Sequence, residues 1–168
     1  MKRFTNNSDS KLSLSFINII KKLSCVLNNI IKCNNNYVDF TNEYNLKIKT
    51  FYLKDLPDIS LYNYISKISW FSKISESTLI YSFIILDKLI NKTKINLTSK
   101  NIYLLCLTSI QISMKINEDI SLNDTDLAYI GMINIKLLNI NEYLFTSLLE
   151  YEFYVSQNEY ALYNRYLD

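Results

Sequence analysis

The residues best placed to do chemistry stand in one short run. MKINEDISLN, residues 114–123, sets Lys115, Glu118 and Asp119 behind an apolar segment, and Asp124 and Asp126 follow directly. Clustered carboxylates suggest a metal site or acid–base work. These acids have neither the ligand spacing nor the glycine of a calcium loop, and read better as loop and cap residues. There is no histidine in the 168 residues, which removes the commonest general base and the commonest metal ligand. With one Gly and one Pro, a phosphate-cradling glycine loop is excluded. Cys25, Cys33 and Cys106 form no CxxC pair, so free thiols in a reducing compartment, cytoplasm or nucleus, are expected. Cys106 falls inside an apolar stretch and reads as a core residue rather than a nucleophile. No catalytic residue, metal or cofactor is therefore expected. Lys115 keeps two readings at this point: an ordinary helix-end cation, or a charge that a partner reads.

The elements that would carry these residues are helical. The chain is 49% hydrophobic and 20% charged with a net charge of +2, so it can bury a core and projects no strong field toward nucleic acid. Scarcity of Gly and Pro disfavours a strand-and-turn fold. Lys, Asn, Ile and Tyr are so abundant that single Asn and Tyr residues carry little weight as signals. Residues 1–11 read as disordered. Residues 12–32 show Leu12, Phe16, Ile19, Ile20, Leu23, Leu27 and Ile30 at helical spacing, an amphipathic surface helix interrupted by Lys21 and Lys22. Residues 33–56 read as a linker, and Pro57 marks the start of the main domain, 57–168. No membrane span is expected, because the apolar run 79–90 is short and broken by Asp87 and Lys88.

Within the main domain, the pattern predicts five helices, at about 58–71, 76–91, 98–116, 124–131 and 134–152. Thr98 is the expected cap of the third. That third helix is apolar on every face, so it should be the buried centre. Asn123 can cap the fourth helix and Gly131 can end it. A short helix near the C-terminus completes an all-α fold.

The order of motifs YISKI, FIILDKL, LTSKNIYLLCLTSIQISMKINEDISLN, DLAYIG and LLNINEYLFTSLLEYEFYVS resembles a cyclin box over about 57–166. Its wording is similar to the P/U-type cyclins, the single-box group that includes phosphate-response and Y-type cyclins. The resemblance implies a five-helix cyclin box and a regulatory subunit that binds and activates a cyclin-dependent protein kinase as a heterodimer, without nucleic acid or membrane. It implies that Lys115 and Glu142 grip backbone around the kinase's mobile C-helix. It implies an internal pair between Lys67 and Asp87, with Lys67 standing where arginine is usual, a swap that forfeits bidentate geometry. Leu104 matches a supporting core leucine. The substrate-docking MRAIL motif with its spaced Trp is not matched, since SKISW puts Trp70 only three residues after Lys67.

Were Lys115 and Glu142 adjacent on the surface, each alone would be a solvated charge of little worth. At an interface, each could bond backbone groups that a partner helix leaves unpaired at its ends. Tyr143, and with it Tyr151, Tyr154 and Tyr160, are candidates for the surrounding contact area. A helical adaptor that keeps the fold without activating a kinase is the competing expectation.

Overall fold

The computed structural model describes residues 12–34 and 48–167. Among them lie seven α-helices: α1 (Leu14–Asn34), α2 (Leu61–Ser72), α3 (Glu76–Thr93), α4 (Ile102–Asn117), α5 (Asp124–Ile130), α6 (Ile135–Leu148) and α7 (Gln157–Leu167). A single 3₁₀ turn, Lys49–Phe51, precedes α2. Short polar side chains start six of the helices: Ser13 accepts from the Phe16 amide at 3.0 Å and Ser156 from the Glu159 amide at 3.2 Å. Ser60 accepts from the Asn63 amide, Ser75 from Thr78, Asn123 from Asp126 and Asn134 from Lys136. Each such bond satisfies a donor that the helix cannot pair itself. Thr98 does not cap α4. The cap is Asn101, and its side chain turns back instead, accepting from the Thr98 amide at 2.8 Å and donating to the Asn96 carbonyl at 2.8 Å. The helix starts later than its apolar pattern because residues 98–101 close a turn on the Thr98 carbonyl.

α4 is the buried centre, enclosed by α2, α3 and α6. Its residues from Leu104 to Met114 are all buried. Three of its buried hydroxyls need no outside partner: Thr108, Ser109 and Ser113 donate back to the carbonyls of Leu104, Cys106 and Ser109. Leu104 lies in this core at 1% exposure. So does Cys106, whose thiol is pushed far up in pKa by burial and stays protonated. Phe51 and Phe145 meet edge to face at 6.4 Å, tying the 3₁₀ turn to α6.

The expected boundary at Pro57 is not where the domain begins. Phe16, Ile19, Ile20, Leu23, Leu27 and Ile31 of α1 are buried in the same core, and α1 packs on α2 and α7. Ser13 and Ser15 bond the carboxylate of Glu76 at the start of α3. Ile48 and Phe51, within the expected linker, are also buried, and the Leu53 amide donates to the Lys100 carbonyl at 2.8 Å. Apart from Ile30, which is exposed and whose place Ile31 takes, the apolar stripe of 12–32 belongs to the core. Of the expected segments, the disordered 1–11 and linker residues 35–47 lie outside the described residues. By length and composition alone α1 could cross a membrane, but its apolar stripe is occupied by α2 and α7.

Gly131 ends α5 at φ −72°, in ordinary helical space. Its role is close approach: a Cβ there would come within 2.4 Å of Leu107 Cδ2 on the buried helix α4. The Tyr64 hydroxyl, from α2, donates to the Gly131 carbonyl at 3.2 Å, so three helices meet at this residue. The left-handed turn falls to Met132 at φ 59°. Gly131→Ala should therefore destabilise the fold by about 1–3 kcal/mol through overpacking, despite the gain of roughly 0.5–1 kcal/mol that alanine usually brings over glycine. Urea unfolding of the two proteins checks this; equal or higher stability in the variant would mean that Leu107 yields freely.

Candidate functional site

The C-terminal end of α4 carries a closed ring of hydrogen bonds. Lys115 Nζ donates to Glu142 Oε1 at 2.6 Å and to Asp124 Oδ2 at 3.0 Å. Gln111 Nε2 donates to Glu142 Oε2 at 3.0 Å and to Asp124 Oδ1 at 2.9 Å. Each carboxylate thus gives one oxygen to the ammonium and the other to the carboxamide. Three helices supply the corners. α4 provides Gln111 and Lys115 on one face, four residues apart, while Asp124 opens α5 and Glu142 sits mid-way along α6.

The ring grades from core to solvent. Gln111 is fully buried, whereas the Lys115 side chain is 36% exposed and that of Glu142 25%. Partial desolvation pulls the Lys115 pKa down, but the hydrogen bonds and charges of Glu142 and Asp124 outweigh it and hold the group above the ordinary lysine range. Its ammonium form is therefore secure at neutral pH. Asp124 lies in the first turn of α5, where a carboxylate also meets the positive end of the helix dipole. Exposed Ile116, Ile140 and Tyr143 are the ring's sequence neighbours on α4 and α6. Leu104 lies in the core rather than at this surface.

The other expected pair is not brought together. Asp87 accepts from the Tyr163 hydroxyl of α7 at 2.6 Å and from Asn91 at 3.1 Å. Among the described residues Lys67 makes no ion pair, with Asp87 or any other acid. The physical reason is α7, which lies along α3 and delivers a neutral hydroxyl to Asp87. On the same side of α3, Lys88 pairs with Glu159 at 3.1 Å and donates to the Tyr154 carbonyl, and Lys92 pairs with Glu150 at 3.0 Å. These contacts line a concavity of about 720 Å³ whose charges are already engaged within the chain. Tyr151 and Tyr154 belong to this side; neither bonds the ring.

Glu118 is more than a loop residue. Its Oε1 accepts from the Ser75 amide at 2.9 Å and the Ser75 hydroxyl at 2.8 Å, joining the end of α4 to the capped start of α3. Partial desolvation pushes its pKa up, but hydrogen bonds from Thr78 and from the Ser75 amide and hydroxyl prevail and hold the carboxyl below the usual range. Asp124 and Glu118 read from the sequence as cap and loop residues, and Gln111 is not singled out by spacing. The only hint was Gln111 itself, a long polar side chain in an otherwise apolar run, four residues ahead of Lys115.

The match to the cyclin domain model runs over residues 10–153, so it includes α1 and all the helices that build the ring. The chain belongs to the cyclin family. Among curated proteins of Arabidopsis thaliana, it is 28% identical to Cyclin-U4-2 over 74% of its own length and 58% of that protein's. It is 25% identical to Cyclin-U4-1 over 72% of its own length and 60% of the relative's, and 23% identical to Cyclin-U2-1 over 73% and 55%. The match thus spans a little over half the length of these relatives. Similarity to several U-type cyclins supports placing this cyclin in the P/U-type single-box group. The match beginning at residue 10 agrees with the packing in starting the domain well before Pro57.

The staple at Glu118 gives this cyclin a defined acid response. A carboxyl whose folded pKa is depressed contributes stability above the unfolded value of about 4.3, and that stability is lost as pH falls through the folded pKa. Glu118→Gln should lower stability at pH 7 and narrow its gap to the parent as pH drops below about 4. Denaturant unfolding across pH checks this; a gap that persists unchanged at low pH would mean that the charge of Glu118 is not what holds α3 to α4.

Proposed function

We propose that this cyclin is a regulatory subunit that binds a cyclin-dependent protein kinase and activates it by positioning the kinase C-helix. The observation that carries the reading is the Lys115–Glu142 pair at 2.6 Å, set on the end of the buried helix of a cyclin box beside exposed Ile116, Ile140 and Tyr143. An ammonium and a carboxylate side by side can address both a carbonyl and an amide of a partner's chain. Tyr143, 66% exposed next to Glu142, supplies contact area without a large entropic cost on ordering.

Activation then follows from kinase physics. Phosphoryl transfer needs the kinase's own Lys–Glu ion pair in place, and that depends on where its C-helix sits. A rigid surface that binds the helix-in state more tightly shifts the kinase toward that state, by its differential affinity and no more. The cyclin contributes no catalytic group of its own in this reading, which fits a sequence without histidine or a glycine loop. The free thiols of Cys25 and Cys33, both exposed on α1, suit the reducing interior of cytoplasm or nucleus.

Purified cyclin should bind a cyclin-dependent kinase and raise its phosphotransfer rate. Replacing both Lys115 and Glu142 by alanine should weaken binding by about 2–5 kcal/mol, the range for losing buried charged contacts at an interface. Calorimetry or surface binding with circular dichroism as a control for folding measures this. Unchanged affinity in the double variant would remove the assigned surface, and binding without a gain in kinase activity would favour the adaptor.

A further inference from the structure

The ring is not electrically neutral. Two carboxylates, Asp124 and Glu142, share one ammonium, Lys115, and the fourth corner is the uncharged Gln111. One negative charge is left over. The ring also resists rearrangement to hide it. Gln111 is fully buried, its Nε2 is committed to both carboxylates, and its Oε1 is buried with no hydrogen-bond partner. Turning the amide over would place that oxygen against two carboxylates, so the donor is fixed inward. The nearby acids add to the excess: Asp126 is hydrogen-bonded to neutral Asn123, and Asp119 is exposed.

The remaining bonding capacity of the ring is lopsided in the same sense. Lys115 has used two of its three N–H groups. Both carboxylates keep acceptor capacity on each oxygen, and exposed Ile116 and Tyr143 adjoin Lys115 and Glu142 in sequence. A surface with a fixed negative excess beside apolar residues is complementary to an apolar segment carrying a cation.

We propose, on the kinase-docking reading above, that Asp124 is a specificity-determining residue: it makes the docking surface select a kinase segment that places a lysine or arginine against the ring. Lys115 and Glu142 alone form a neutral pair that would accept backbone groups of any helix end. Asp124 adds the charge that distinguishes partners, and Gln111 is the positioning residue that holds both carboxylates toward the newcomer. Discrimination arises because a partner with an acid or an apolar side chain at that place leaves the excess charge unpaired at a desolvating interface.

The test uses full-length cyclin and recombinant cyclin-dependent kinases, each with the basic residues beside its C-helix changed in turn to alanine. With wild-type cyclin, one such kinase change should weaken binding by up to about five-fold, the range of a partly exposed ion pair, and the loss should shrink as salt is raised. Asp124→Asn in the cyclin should weaken binding by a similar factor, flatten the salt dependence, and make the same kinase change silent. Asp124→Glu, which keeps the charge, should retain the salt dependence even where affinity drops, a recovery that a purely structural role would not give. Should Asp124→Asn bind as tightly as wild type, or lose affinity equally at all salt concentrations, Asp124 does not read charge and the proposal is wrong while kinase docking stands. Should wild-type cyclin bind none of the kinases, the docking reading itself fails and the role of Asp124 fails with it.

Discussion

Burial of α4 from Leu104 to Met114 is the constraint on which the other features depend. A helix enclosed over that length keeps buried polar donors only if each finds a partner inside the molecule. Its serines and threonine do so by bonding their own backbone, a solution open to short hydroxyls. Gln111 is too long for that and reaches across the helix end instead. Its two donors draw Asp124 from α5 and Glu142 from α6 onto one point. Once those carboxylates meet, their mutual repulsion requires a cation, and Lys115, one turn further along the same face, supplies it. The surface chemistry at the end of α4 is thus a consequence of how its buried part is satisfied.

The same helix end is anchored from the other direction. Glu118, just past α4, bonds the cap of α3, and Gly131 lets the end of α5 settle against Leu107. With its one glycine committed to that close approach, the left-handed helix ends among the described residues fall to Lys73, Lys94, Met132, Glu150 and Tyr151. Such residues sit there at a cost of roughly 1–2 kcal/mol each, which only surrounding contacts can sustain. Lys94, for instance, donates its amide to the Ile90 carbonyl, closing the final turn of α3.

What could be read from the sequence was what depends on local pattern. The all-round apolar character of α4, the helical class of the fold and the cap at Asn123 follow from periodicity and side-chain length. The missed features are those set by a third element. Thr98 looked like a cap until Asn101 competed for the same turn. Lys67 and Asp87 looked like a pair, but Tyr163 arrives on α7 and takes the carboxylate. The stripe on α1 marked an amphipathic helix without saying which surface would cover it, and a polar stretch after it suggested a linker where Phe51 is buried. Lys115 and Glu142 were legible only through their resemblance to a family. Asp124 and Gln111, which complete the ring, resemble an ordinary first-turn acid and an ordinary polar residue until the backbone brings them together.

A binding surface can bias a two-state partner only if the surface itself does not follow the partner from one state to the other. Lys115 and Glu142 as an isolated exposed pair would lose rotamer freedom on docking and adapt to either position of a bound helix. In the ring each is held by two bonds, and the acceptor corners stand on separate helices packed around α4. Moving one corner breaks bonds at both of its neighbours, so the arrangement resists small displacements as a unit. The buried carboxamide therefore links two properties that would otherwise be independent: the satisfaction of its buried donors, and the stiffness of the charged surface above it.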